Sequence, residues 1–337
     1  MEKIRTAVVG AGSIAQVVHI PILKNMEDIE LTAICDDDQA KLTKLIDKFE
    51  IPHGYSMIDN LIRNEKPDAL HICTTSHYHY PMAYLALKNN VNVFVEKPIA
   101  LNAADAAKLV ELAEEKKLLL MVGMQNRFRD DVEILKEFMD NGELGELFYI
   151  KAGWLKKWSK ETVPSWQTSR QAAGGGVMIV MGTQLIDLAL FLIGMPDIKS
   201  VQLFDYTLDK HEVEDAALAV IETKKGLTIT IEVSWKMHLE NDMIYTHIFG
   251  KNGAAYLNPL RVNKELHGNL VNVTPLTGEK TSAQRFKDAY RNEIHHFYNL
   301  VRTGEENISS AADALQVMKI MDALYESSRK NEKVRLD

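Results

Sequence analysis

The 337-residue chain carries 39 lysines and arginines against 47 aspartates and glutamates, a net charge of −8. With its basic residues scattered and no basic stripe interleaved with aromatics, the sequence argues against a general affinity for nucleic acid or an anionic membrane. At 46% hydrophobic and 26% charged residues it has the composition of a soluble globular protein, long enough for two domains with a core in each.

Taken in chain order, TAVVG (6–10) is rich in strand formers and ends in glycine, and 13–26 follows as a helix. LTAICD (31–36) is a second strand, followed by an amphipathic helix over 39–49. ALHICTT (69–75), NVFVEKP (92–98) and LLLMVG (118–123) continue the series, with helices over 80–89 and 103–116 between them. This cadence predicts a parallel sheet covered on both faces, a doubly wound α/β domain over 1–124. After about Gly123 the rhythm changes. A helix over 131–141 precedes strands at 147–154, 199–206, 215–222, 228–236 and 245–250, several joined by turn signals such as KKG and KNG. A mostly antiparallel α+β domain over 125–337 is expected, one sheet face covered by a helix over 177–193, with two further helices at 283–302 and 311–330.

The only cysteines, Cys35 and Cys73, sit in apolar runs, and no CxxC pair or secretory signal at MEKIRTAVVG is seen, so a reducing cytoplasm is expected. Residues 177–195 are long enough to cross a bilayer, but they contain Gln184 and Asp187 and lack basic anchors. A buried core helix is expected there, and no membrane association.

The first strand runs into GAGSIA (10–15), which fits G-x-G-x-x-G/A with Gly10, Gly12 and Ala15. The first glycine permits the tight turn, the second lets the backbone approach a pyrophosphate, and the third small residue lets helix and strand pack closely. The phosphate would sit at the helix N-terminus, where N–H groups and the dipole favour an anion. The second strand ends in CDDD, with Asp36 24 residues past Gly12. Asp36 can accept hydrogen bonds from both ribose hydroxyls of NAD, or it can cap the helix that begins near Gln39. With Asp37 and Asp38 beside it and no adjacent arginine, a 2′-phosphate is disfavoured, so NAD is expected over NADP. VEKPIA (95–100) falls at the carboxyl end of a parallel strand, where open α/β sheets bind ligands. Lys97 there can lose pKa in a partly dry site and act as acid or base, or it can be a surface partner of Glu96; the tripeptide alone does not choose. Pro98 fixes the turn, with a cis bond before it as the natural guess.

As an ordered set, GAGSIAQ, CD, TTSHYH (74–79), VEKP, GMQNRF (123–128) and GGG…D (174–187) resemble the Gfo/Idh/MocA family of NAD(P)-dependent sugar and cyclitol oxidoreductases, over the whole chain. The resemblance implies a Rossmann domain followed by an open-faced antiparallel sheet, often used to make dimers or tetramers. It implies that Gly10, Gly12, Ser13 and Ile14 form the cofactor turn and that Asp36 holds the adenosine ribose. Thr74, Thr75 and His77 match the loop passing the cofactor, although Thr75 and Ser76 depart from the family's Thr-Pro-Asn. Glu96 and Lys97 match its Glu–Lys pair, with Lys97 as the catalytic lysine near the nicotinamide. Gln125 lies close to the nicotinamide end, in the segment leading to the second domain.

The largest departure is in GGGVMIVMGTQLID (174–187). A tight glycine run beside a helix often faces a ligand, and the family pattern there is roughly GGG-x-x-x-D-x-G-x-H-x-x-D. The glycines, Gly182 and Asp187 match, but Val180 replaces the first aspartate and Gln184 the histidine that handles the hydroxyl proton. Positions 180, 184 and 187 share one helical face, yet neither valine nor glutamine titrates near neutrality. The expected catalytic set is therefore Lys97 as proton handler with Gln184 and Asp187, no metal, and a small sugar-like substrate. Lys156, Lys157, Trp154, Trp166 and His238 are further polar candidates. The alternative is a sensor or regulatory protein that binds NAD or a sugar on the same fold.

Overall fold

The computed structural model describes the chain except residues 1, 160–162, 209–211, 277, 279 and 337. It packs as two units, residues 1–125 with 286–315, and residues 126–285 with 316–337. The return of 286–315 to the first unit corrects the expectation that everything after 125 belongs to the second.

The first unit is built on six parallel strands: β1 (Ile4–Val9), β2 (Ile29–Cys35), β3 (His53–Tyr55), β4 (Ala69–Ile72), β5 (Asn92–Glu96) and β6 (Leu120–Gly123). Their order is β3-β2-β1-β4-β5-β6, the doubly wound arrangement. Because crossover helices cover both faces, the strands read as nearly unbroken apolar runs, and β4 is buried at every residue. The helices are α1 (Ile20–Lys24), α2 (Gln39–Phe49), α3 (Ile58–Glu65), α4 (His79–Lys88) and α5 (Ala103–Lys116). Asp38 caps α2 by accepting from the Ala40 and Lys41 N–H groups, and Asn102 caps α5 through the Asp105 N–H. Strand β3 and helix α3 are absent from the sequence reading; HGY is too short to show a period. The expected helix over 13–26 is split, with a π-turn at Ala15–His19 feeding α1. Pro21, which has no N–H to donate, stands where the two meet.

The second unit contains α6 (Asp130–Asp140), α7 (Arg170–Ala173), α8 (Thr183–Leu192) and a nine-stranded sheet. The strands are β7 (Leu147–Lys157), β8 (Ile198–Tyr206), β9 (Ala216–Thr223), β10 (Thr228–Met237), β11 (Met243–Gly250), β12 (Gly253–Leu257), β13 (Arg261–Leu266), β14 (Asn269–Asn272) and β15 (Val334–Arg335). Their order is β14-β13-β12-β11-β7-β10-β9-β8-β15, antiparallel except for the β7–β10 pair. Strand β9 alternates buried and half-buried along its length, the mark of a sheet with one covered face. Helix α8 packs on β7 and β10. The most apolar 18-residue stretch within 170–192 is 89% buried within the protein, so this apolar helix is a core element, as its polar residues led one to expect.

The tail forms α9 (Ser282–Thr303) and α10 (Ala311–Lys330). In the first unit, Phe297 of α9 is fully buried with its ring edge-on to His71 and Phe94, and Ser309 Oγ donates to the Val122 carbonyl at 2.7 Å. Those contacts are why 286–315 belongs to the nucleotide-type sheet: it supplies core to β4 and β5 and covers the edge of β6. Phe297→Ala is expected to destabilise the protein by roughly 3–5 kcal/mol, read by urea unfolding; a loss below about 1 kcal/mol would show that α9 is dispensable to this core.

Candidate active site

At the end of β1 the chain turns at Gly10, whose φ of 97° suits glycine. A Cβ there would lie 2.6 Å from the Cys73 carbonyl oxygen, so the turn and the close passage past β4 both demand glycine. Gly12 differs. A Cβ on it would meet only that same oxygen, at 3.8 Å, so nothing in the protein's own packing requires glycine there. Gly12 and Ser13 are exposed, Ile14 is half-buried, and Ala15 is buried against the sheet. A cradle kept open for something other than the chain itself fits a dinucleotide pyrophosphate at this loop.

Asp36 is tied to the same loop. It accepts from the Ala11 N–H at 2.6 Å through Oδ2 and from the Asp38 N–H at 3.0 Å through Oδ1. The capping alternative falls to Asp38, so Asp36 is held at the strand end with acceptor capacity remaining on each oxygen.

The next two strand ends lie alongside. Thr74, Thr75 and His77 are half-buried on the loop after β4, with Thr75 Oγ1 3.3 Å from His77 Nδ1. His79, which the sequence reading passed over, is buried and bonds the Thr74 carbonyl (3.1 Å) and the Pro98 carbonyl (2.6 Å). It therefore fastens the 74–79 loop to the turn carrying Lys97. The Lys97–Pro98 bond is cis, as guessed. Glu96 is buried opposite Gly123 of β6, where a Cβ would press on its carboxyl at 3.3 Å. Lys97 is half-buried, and burial lowers the pKa of its amine while the neighbouring Glu96 charge opposes that shift. Gln125 is buried just past β6.

In the second unit the glycine run has a different purpose from the one its sequence suggests. Glu214 is buried, and its Oε1 accepts from the Gly176 and Met178 N–H groups, both at 3.0 Å, and from the Tyr325 hydroxyl at 2.8 Å. Burial raises its pKa and these hydrogen bonds oppose the rise. A Cβ on Gly175 would run into the Tyr325 hydroxyl, and one on Gly176 into the Glu214 backbone. Those two glycines are explained by internal packing.

The following segment is a π-turn, Met178–Gly182, continuing into α8, and this corrects the expected single α-helix. Val180 is only half-buried, in a run otherwise buried from Gly175 to Leu190. Gln184 is buried and its Nε2 lies 3.3 Å from the Val180 carbonyl. Asp187 requires a correction: it was expected in the catalytic set, but it is fully buried, held by Arg127 through Nε to Oδ2 at 2.9 Å and Nη2 to Oδ1 at 2.5 Å. The guanidinium also stacks over Phe191 at 4.9 Å. A carboxylate gripped on both oxygens by a buried fork anchors a helix rather than meeting a substrate. Of the other candidates, Trp154 is half-buried, while Lys156, Lys157, Trp166 and His238 are exposed.

A doubly wound sheet with an open glycine cradle, a held acidic residue and a lysine at neighbouring strand ends defines a dinucleotide-binding protein. Two family models match the chain, "Oxidoreductase family, NAD-binding Rossmann fold" over residues 4–124 and "Oxidoreductase family, C-terminal alpha/beta domain" over 136–336. The chain belongs to this Gfo/Idh/MocA oxidoreductase family. It is 26% identical to D-glucoside 3-dehydrogenase of Escherichia coli K12, covering 99% of this chain and 97% of that one. It is 25% identical to myo-inositol 2-dehydrogenase of Thermotoga maritima, covering 99% and 98%. Among solved structures, levoglucosan dehydrogenase in complex with NADH and levoglucosan shares the fold with a TM-score of 0.89 at 20% identity, over 99% of each chain.

The Arg127–Asp187 pair gives a direct test. Asp187→Leu leaves a buried guanidinium uncompensated and is expected to cost roughly 3–5 kcal/mol. Adding Arg127→Met should recover much of that loss in denaturant unfolding; no recovery in the double variant would mean that the pair is not what stabilises the helix.

Proposed function

We propose that the protein is an NAD-dependent dehydrogenase acting on a CH–OH group of a sugar, cyclitol or related hydroxy compound, with Lys97 handling the proton. The observation that carries this reading is the meeting, at one edge of one sheet, of the cradle open at Gly12, the held Asp36 and the half-buried Lys97. NAD, when bound, supplies hydride acceptance. The protein must bind it, orient the substrate and move one proton. Gly10, Gly12, Ser13 and Ile14 are assigned to the pyrophosphate turn, Asp36 to the adenosine ribose, and Thr74, Thr75, His77, Glu96 and Gln125 to the remaining cofactor contacts. Asp36, with Asp37 and Asp38 after it, supports NAD over NADP by repelling a 2′-phosphate. A Lys97 amine that loses its proton more readily than an ordinary lysine suits a base that takes the hydroxyl proton. Gln184 contributes a hydrogen bond to substrate and no proton transfer. The names of the relatives, glucoside and inositol dehydrogenases, support the substrate class.

A second reading, a cofactor or sugar sensor, is favoured by Val180 and Gln184, where no side chain titrates. A cofactor-reduction screen against sugars, cyclitols and their oxidised forms, with NAD and with NADP, separates the two. Turnover with any of them removes the sensor; tight NAD binding without turnover supports it.

We also propose self-association through the open sheet face of the second unit. Tyr149 and Phe249 stack there at 5.9 Å across β7 and β11, with Tyr245 and His247 further along the same face of β11. Both cysteines are buried free thiols, with Cys35 pushed up to about 12 by burial and by Asp36 and Asp37, a state that suits the cytoplasm we propose as its home.

Lys97→Met is expected to lower kcat roughly 10²–10⁴-fold. Because the neutral amine is the working form, wild-type oxidation should rise with pH and level off at a midpoint below the ordinary lysine value of 10.5. Asp36→Ala should shift preference toward NADP; an unchanged NAD/NADP ratio would refute the ribose assignment.

A further inference from the structure

Behind Glu96 runs a line of buried polar groups that the proposed function does not use. Glu96 Oε1 lies 2.9 Å from His19 Nε2, His19 Nδ1 2.9 Å from His71 Nδ1, and His71 Nε2 2.9 Å from the Tyr298 hydroxyl. Tyr298 donates to Thr6 Oγ1 at 2.7 Å, and Thr6 donates to the Ala69 carbonyl at 3.1 Å. His19, His71 and Thr6 are fully buried and Tyr298 nearly so. Phe94 stacks on His71 at 4.9 Å and Phe297 lies edge-on to it.

The hydrogens in this line can be counted. There are five contacts, from Glu96–His19 to Thr6–Ala69, and each needs one hydrogen. With Glu96 ionised and both imidazoles neutral, the rings and the two hydroxyls supply only four. A fifth proton fills every contact, and the donor directions of Tyr298 and Thr6 then fix the rest. His71 carries its proton on Nε2, His19 Nδ1 donates to His71 Nδ1, and the additional proton lies between His19 Nε2 and Glu96. In a buried setting an unfilled contact costs about 1–3 kcal/mol, which favours uptake of that proton.

We infer that His19, His71, Tyr298 and Thr6 form a proton-holding relay that keeps His19 and Glu96 together at zero net charge, and so removes a negative charge from beside Lys97. The relay residues are positioning residues: they act on Lys97 through Glu96. The inference rests on the proposed function only for the role of Lys97. Glu96 favours the protonated amine, so its neutralisation leaves burial to lower the Lys97 pKa. Burial, and the charge of His19 next, lower the pKa of His71, as a neutral ring beside an imidazolium requires. The other titratable groups acting on this region are Cys73, Tyr290 and Tyr298, all pushed up by burial and so neutral, together with His79, Glu293 and Asp28.

The test uses the full chain in two arms. Long-range ¹H–¹⁵N NMR of histidine-labelled protein at pH 8, assigned with His19→Gln and His71→Gln, is expected to show His19 protonated on both nitrogens and His71 on Nε2 alone. Tyr298→Phe shortens the line to two contacts, which two neutral rings fill, so His19 should become neutral. Thr6→Val, which leaves three contacts and three hydrogens, should do the same and serves if the first variant does not fold. A neutral wild-type His19, or unchanged His19 signals in the variants, overturns the relay. In the second arm, the midpoint of the kcat/KM pH profile should move up by about one unit in Tyr298→Phe, as Glu96 regains its charge. Superimposable profiles overturn the link to Lys97. If wild-type protein turns over no polyol, the dehydrogenase reading falls alone, because the NMR arm needs no substrate.

Discussion

The parallel register of β1, β2, β4 and β5 is the constraint on which the candidate site depends. Val9 pairs with both Cys35 and Ile72, and Ile72 pairs with Val95, so four strands end on one line. Everything chemical in the first unit leaves the sheet there: the Gly10–Gly12 turn, Asp36, the 74–79 loop and the Glu96–Lys97 turn. The turn after β1 is possible only because Gly10 has no Cβ to meet the Cys73 carbonyl.

The two glycine-rich segments show how alike sequences arise from unlike demands. Gly12 has room for a side chain and no internal reason to lack one, whereas Gly175 and Gly176 have no room at all because Tyr325 and Glu214 fill it. Only the first kind of glycine is open to the outside. Asp187 and Glu214 extend the contrast to carboxylates. Each is buried and each is satisfied, one by Arg127 and the other by two N–H groups and a phenol, so each holds its segment in place.

Much of this was legible in the sequence because it is local. Strand–helix alternation, the glycine loop, CDDD and EKP each carry their signal within a few residues, and helices such as α2 and α5 fall at the predicted bounds. What was missed is made by pairs distant in sequence. Tyr325 and Glu214 are 111 residues apart, Tyr298 and His71 227 apart, and Arg127 and Asp187 60 apart. No periodicity announces such partners. Asp187 was therefore read from its spacing as part of a reacting face, when the decisive fact was the arginine it meets. The π-turns were hidden for a related reason: their apolar residues satisfy a helical pattern equally well, and only the backbone bonds tell the two apart.

The return of residues 286–315 to the first unit follows from the same physics. A sheet covered only by its crossover helices would still expose the edge of β6 and the far side of His71 and Phe94. Helix α9 covers His71 and Phe94 and brings the Tyr298 hydroxyl within 2.9 Å of His71, while the Ser309–Ser310 segment that follows it pairs with β6. A wholly apolar cap there would leave His71 Nε2 without a partner in the core, and the His19–Glu96 contact would then be filled by a neutral ring beside a charged Glu96. Tyrosine combines a large apolar body with one hydroxyl that both accepts and donates, so it can cover the sheet and continue the hydrogen-bond line to Thr6. The charge state beside Lys97 is thereby tied to a residue 201 positions further along the chain, through packing that the fold needs in any case.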